Sequence, residues 1–191
     1  MDLSNGWERV ANTFIAVRNP NVGKSTLENW VANLPPRAKV LDIGCGFGVP
    51  NTQVLINAGC QVYGIDASKT LIAQYKKRFP MAIAACEAAE SSNYFDIKFN
   101  AIIAIGLIFL LPEDAQLKVL QNAAHSLKNR GRFLFTAPKQ VCEWQDVLTA
   151  KRSRSLGKDA YVSELLKHGL ILTNEYVDEG ENHYFDFTLE A

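Results

Sequence analysis

The stretch Val40-Leu41-Asp42-Ile43-Gly44-Cys45-Gly46-Phe47-Gly48-Val49-Pro50 decides how the rest of the chain is read. An apolar run interrupted by one acid leads straight into three glycines at alternate positions. The run has the length and aliphatic character of a buried strand, and the glycines free the backbone to turn sharply and to meet a ligand with bare main chain. In doubly wound sheets ligands gather outside the carboxyl ends of the strands, and the first strand-to-helix turn is the usual cofactor seat. Taken alone, the glycines are equally consistent with a tight structural turn.

Outward from this stretch the chain alternates. Lys39–Ile43 is expected as a strand, followed by a helix from about Pro50 to Ala58 that Gly59 ends. Gln61–Ile65 is the next strand, Ser68 caps a helix that Phe79-Pro80 ends, and Ala82–Ala85 is a third strand. The unbroken apolar run Ala101–Ile105 reads as a strand buried on both faces. Pro112, Glu113 and Asp114 suit the first turn of a long helix closed by Gly131, and Arg132–Thr136 is the fifth strand. Strands separated by helices imply a parallel sheet, because each parallel connection needs a crossover. Upstream, Leu3, Trp7, Val10 and Phe14 mark one helix face, and Ser25 is expected to cap a second helix through Leu27, Trp30 and Val31 that stops at Pro35-Pro36. Downstream, residues 138–158 read as irregular. A helix around Tyr161–Lys167 follows, then strands at Leu170–Val177 and His183–Leu189 whose short connecting turn makes them an antiparallel hairpin.

The composition suits one globular domain: 191 residues, 48% apolar, with 20 basic and 20 acidic side chains. That charge balance disfavours a nucleic-acid partner, and the short basic clusters Lys76-Lys77-Arg78 and Lys151-Arg152 read as solvated faces. Cys45, Cys60, Cys86 and Cys142 lack C-x-x-C or histidine spacing, so reduced thiols and no metal site are expected. The N-terminus lacks a basic region followed by an apolar run, and Ala101–Leu111 is too short to span a bilayer. A cytoplasmic protein without a membrane partner is the expectation. Residues 1–36 are expected to form a helical cover, 37–138 a cofactor-binding core, and 139–191 a substrate-side segment with the terminal hairpin.

Asp66 ends the second strand in Tyr63-Gly64-Ile65-Asp66-Ala67-Ser68, where an acid can accept hydrogen bonds from ribose hydroxyls. With Asp42 before the first glycine, the chain from Lys39 to about Pro138 resembles the class I S-adenosylmethionine-dependent methyltransferases, and its tail, Ser155-Leu156-Gly157 and Asp178 to Tyr184, is similar to a bacterial subgroup. The resemblance implies a Rossmann-like doubly wound α/β fold: a mostly parallel sheet with a C-terminal antiparallel hairpin, helices on both faces and an N-terminal helical cover. It implies S-adenosyl-L-methionine as cofactor and a small-molecule methyl acceptor. It sets Asp42, Gly44, Cys45, Gly46 and Gly48 around the methionine part, Asp66 on the ribose, and Ala67, Glu87 and Ala88 beside the adenine. Ile105 and Gly106 face the sulfonium. For Glu87 a solvated carboxylate, and for Gly106 a simple bend, are the plain alternatives.

Rival readings weaken on particular residues. A nicotinamide-dependent oxidoreductase would place its third glycine at position 49, which is Val49, and Pro50 removes an amide that a pyrophosphate wants. Asn19-Pro20-Asn21-Val22-Gly23-Lys24-Ser25-Thr26 looks like the phosphate loop of a GTPase. That pattern requires glycine where Arg18 stands, no guanine-reading Asn-Lys-x-Asp segment follows, and the stretch precedes the sheet. A lid carrying Arg18 and Trp30 over the cofactor is the functional expectation for it. A non-catalytic S-adenosylmethionine-binding module remains the alternative to an enzyme.

Methyl transfer from a sulfonium draws much of its acceleration from positioning, and a base matters only when the acceptor must lose a proton. His183 is the candidate for that base, opening the last strand on the ligand edge, with bracing of the hairpin as its other possible role. Trp144, Glu143 and Tyr184 are candidate acceptor contacts.

Overall fold

The computed structural model describes residues 3–190. Strand β1 (Lys39–Ile43) lies inside a seven-stranded sheet, in parallel register with β2 (Gln61–Asp66) on one side and β4 (Phe99–Ala104) on the other. With β3 (Ile83–Cys86) and β5 (Leu127–Thr136), and then β8 (Leu170–Val177) and β9 (His183–Leu189), the order is β3-β2-β1-β4-β5-β9-β8. Only β9 runs against its neighbours, pairing antiparallel with both β5 and β8. This is the expected doubly wound fold, with the strand order reversing beside β1 so that a crevice opens between the ends of β1 and β4.

The period-two alternation of strand side chains divides the core. Leu41, Ile43, Ile65, Ile102, Phe133, Phe135, Phe185 and Phe187 pack on the face covered by α5 (Glu113–Ser126) and α6 (Lys158–Leu166). Val40, Val62, Ala101, Ile103 and Leu134 pack on the other, against Leu27, Trp30 and Val31 of α2 (Lys24–Val31) and Val54 and Leu55 of α3 (Asn51–Asn57). Burying each such side chain contributes about 1.5–3 kcal/mol. The helix α4 (Lys69–Arg78) begins where expected: the Ser68 hydroxyl accepts from the Leu71 amide at 3.1 Å. Helix α1 (Trp7–Val17) leans on α4, and Glu8 fastens it there by accepting from the Ser68 hydroxyl at 2.5 Å and the Thr70 hydroxyl at 2.7 Å.

Four local expectations change. Gly23, at φ 75°, is the N-cap of α2, so Ser25 lies inside the helix and caps nothing. Gly131 does not close α5, which already gives way to β5 at Leu127. Leu3 lies outside α1 and is 60% exposed. Residues 138–158 are not irregular, since β6 (Val141–Gln145) and β7 (Arg152–Leu156) form a separate antiparallel hairpin. Among the described residues no helix is long and apolar enough to cross a membrane.

Candidate functional site

The glycine turn is held open by its neighbours. Gly44 and Cys45 donate their amides to Ile65 O at 2.8 and 3.0 Å, which fixes the exit of β1 to the end of β2. Gly46 N donates to Asp66 Oδ2 at 2.9 Å, and Ser68 N donates to Asp66 Oδ1 at 2.8 Å. Burial holds the Asp66 carboxyl above its usual range, and these two amides offset only part of that rise. The segment after β3 is tied in as well, because Glu87 N donates to Asp66 O at 3.0 Å. At the end of β4, Gly106 N donates to Thr136 Oγ1 at 2.7 Å, and a Cβ on Gly106 would meet no atom within 4 Å.

Together these ends border a cavity of about 300 Å³. Of the expected cofactor residues, Gly44, Cys45, Gly46, Asp66, Ala67, Glu87, Ala88, Ile105, Gly106 and Arg18 line it. Trp7, Phe14 and Arg18 bring α1 and its exit over the opening, and Asp146 at the tip of the β6–β7 hairpin meets it from the other side. Arg9 Nη2 bonds to Thr149 O at 3.3 Å, joining the two halves of this roof.

A second cavity of about 390 Å³ adjoins the first, and Phe109 and Asn182 border both. His183, Trp144, Thr136 and Lys139 line it. Trp144 leans on Phe109 with ring centroids 5.4 Å apart, and His183 Nε2 lies 3.0 Å from Glu175 Oε1.

The remaining expected residues lie elsewhere. Asp42 is fully buried one layer behind the turn, its Oδ2 accepting from Thr52 Oγ1 at 2.8 Å while Oδ1 has no partner; burial first, then nearby Asp66, pushes it up to about 7 against the Thr52 hydrogen bond. Gly48 faces Phe79 and Tyr75 so closely that a Cβ there would meet Phe79 at 2.3 Å; its role is packing, not ligand approach. Trp30 belongs to the core under α2, with the Arg132 guanidinium 4.8 Å above its ring, because its apolar face is needed against the sheet. Arg132 in turn pairs with the fully buried Asp186. Glu143 is drawn away from the acceptor side by Arg152 at 2.8 Å and Arg154 at 3.2 Å. Tyr184 is buried and donates its hydroxyl to Asp178 at 2.9 Å.

The phosphate-loop lookalike is accounted for by the same corner. Gly23 N donates to Glu179 Oε1 at 3.1 Å, so the chain's own carboxylate takes the amide that a phosphate would need. Lys24 faces Glu28 at 3.8 Å. Among the described residues the segment joins two helices with no strand before it.

Phe14, Phe109, Asn182 and Glu175 are site residues that sequence reasoning did not single out. Phe14 was marked only as part of a packing face, Asn182 only as a member of the Asp178 to Tyr184 run, and Phe109 and Glu175 carry no motif.

A methyltransferase-domain family model matches residues 40–131, from β1 into β5. A comparison with the curated proteins gives no match. Among solved structures the chain is similar to the CcbJ methyltransferase from Streptomyces caelestis, with TM-score 0.81, 14% identity and all of each chain covered. It is also similar to a TehB-like SAM-dependent methyltransferase from Corynebacterium glutamicum, with TM-score 0.69, 22% identity and 98% of each chain covered. The glycopeptide N-methyltransferase MtfA gives TM-score 0.72 at 15% identity over 95% of this chain and 97% of that one. At these identities the structures speak for the fold, and the family model speaks for the domain. On the two together, residues 40–131 match a methyltransferase domain, and the whole chain has the fold of S-adenosylmethionine-dependent methyltransferases.

Proposed function

We propose that the first cavity seats S-adenosyl-L-methionine and that the second receives a small-molecule acceptor. The observation that carries this reading is the meeting of the two cavities at Phe109 and Asn182, off the carboxyl ends of β1, β4 and β5. The lining suits the cofactor. Asp66 and Glu87 supply carboxylates for hydroxyl and amino donors, Arg18 supplies a guanidinium for a carboxylate, and Gly106 leaves room beside β4.

When bound, the cofactor supplies a sulfonium methyl that leaves by in-line displacement. The chain's own part is to hold the two reactants in line and to exclude water. Trp7 and Phe14 cover the first cavity, and Phe109 lies where the two meet. His183, on the wall of the second, is placed to act on the acceptor rather than on the cofactor. The glycopeptide acceptor named for MtfA supports a small molecule over a macromolecule here.

Calorimetric titration with S-adenosylhomocysteine tests the seat. Saturable binding to the wild type that is lost in a folded Gly106→Leu variant, whose side chain would enter the cavity, is the expected result; equal binding by both proteins would remove the seat from this cavity. Mass spectrometry of a metabolite extract incubated with the enzyme and labelled cofactor then identifies the methylated product.

A further inference from the structure

Glu175 stands at the middle of a cluster contributed by four separate elements. Its Oε1 lies 3.0 Å from His183 Nε2 on β9 and 3.4 Å from Lys139 Nζ, which follows β5; its Oε2 pairs with Lys158 at the start of α6. Lys158 N donates to Lys139 O at 2.9 Å, which keeps the two lysines together. Burial pushes the Glu175 carboxyl up, but the hydrogen bonds and charges of Lys158 and Lys139 outweigh it and hold it below the usual range. Glu175 is therefore an anion, and an acceptor for the Nε2 proton of His183. Nδ1 has no hydrogen-bond partner among the described residues. A carboxylate on one ring nitrogen fixes the tautomer and leaves the other as the proton acceptor.

We infer that Glu175 is the positioning residue for His183 as a base, and that the acceptor is a phenolic hydroxyl on a flat ring. This rests on the cofactor and acceptor seats proposed above. A carboxylate acceptor needs no base, an aliphatic alcohol is too weak an acid for imidazole, and an aliphatic amine enters as a cation facing Lys139 on the cavity wall. A phenol loses its proton to imidazole at moderate cost, and the developing phenolate is favoured by Lys139 on the cavity wall. Trp144 and Phe109, on the same wall, offer the ring an aromatic surface. In the reaction the phenol oxygen forms a bond to the methyl carbon as its proton passes to His183 Nδ1. The carbon–sulfur bond breaks with its electron pair going to sulfur, and the imidazolium then gives its proton to solvent.

The test uses methyl-tritiated S-adenosylmethionine with 1-naphthol, catechol and 4-nitrophenol against benzylamine and benzoate. Label is expected in the phenols. Glu175→Gln should lower kcat for 1-naphthol at least tenfold with the KM for cofactor little changed. It should affect 4-nitrophenol much less, because that phenol is already substantially ionised at neutral pH and depends less on a base. Nitrogen-15 NMR of the histidine rings should find the Nε2–H tautomer in the wild type and a mixture in Glu175→Gln. Label in benzylamine or benzoate alone, label in none of the five, or an equal loss for both phenols would overturn the inference. Binding of S-adenosylhomocysteine is measured alongside, and its absence would mark failure of the cofactor seat itself.

Discussion

Gly46 gives its backbone N–H to Asp66 Oδ2 across 2.9 Å, so the glycine turn and the end of β2 are one unit. Asp66 therefore organises the turn in addition to facing the cavity. Asp66→Ala should weaken S-adenosylhomocysteine by roughly ten- to a hundredfold, the scale of losing charged hydrogen bonds worth about 1.5–3 kcal/mol. It should also lower the melting temperature, because the amides of Gly46 and Ser68 lose their acceptor. Asp66→Asn keeps one oxygen and should fall between. Calorimetry and thermal melts on the same samples check both effects, and affinity within threefold of wild type in Asp66→Ala would take this residue out of the binding site.

Asp42 should make stability depend on pH. Its folded value of about 7 lies above the unfolded carboxylate value. A raised acid contributes its stability fully below the unfolded value of about 4, and that contribution fades as pH rises through the folded one. Three units correspond to about 4 kcal/mol at most. Melting temperature should therefore fall for the wild type between about pH 4 and pH 7 more steeply than for Asp42→Asn, with the variant the more stable of the two on the alkaline side. Parallel slopes for the two proteins would assign the titration to another group.

Gly23 should tolerate no side chain. At φ 75°, a Cβ there would meet the Tyr184 hydroxyl at 2.3 Å and Asp178 Oδ2 at 2.9 Å. Gly23→Ala is expected to cost about 1–3 kcal/mol in a denaturant titration, from strain and from the displaced Tyr184–Asp178 bond. GTP or ATP with magnesium should leave the wild-type melting temperature unchanged, since Glu179 occupies the Gly23 amide. A nucleotide-dependent rise that disappears in Lys24→Ala would restore the phosphate-loop reading.

His183→Ala should leave S-adenosylhomocysteine affinity nearly unchanged, because His183 lines the second cavity and not the first. Turnover should fall by about 10²–10⁴-fold, as for other positioned acid–base groups. A drop in thermal stability with normal turnover per folded molecule would reduce His183 to a brace for the hairpin.

The parts of this molecule legible in its sequence were those where one local signal had no competitor. The aliphatic run into alternating glycines marked β1 and its turn, and the strands Leu170–Val177 and His183–Leu189 matched to the residue because a polar turn of Asp178 to Asn182 separates them. The β6–β7 hairpin stayed hidden because its outward positions are held by charge, Glu143 to Arg152 and Arg154, instead of by an apolar face. Its trace was present in Arg152-Ser153-Arg154-Ser155, where buried serines alternate with more exposed arginines. Trp30 and Tyr184 misled for a related reason. An aromatic residue near a ligand edge reads the same whether it faces the ligand or the core, and the partner it meets in the fold, Arg132 for one and Asp178 for the other, decides between them.

The insertion of β9 between β5 and β8 also bears on the order in which this chain can fold. During synthesis, β1 to β5 can pair among themselves as they emerge, since every partner has already been made. The strand β8 emerges before β9, yet it touches the sheet only through β9. It must wait, or pair first with β9 as a free hairpin that then docks on β5; either route involves contacts distant in sequence, which form slowly. The nascent chain should thus acquire its nucleoside-facing half early and its histidine-bearing half last. Limited proteolysis of stalled nascent chains would show protection spreading in that direction.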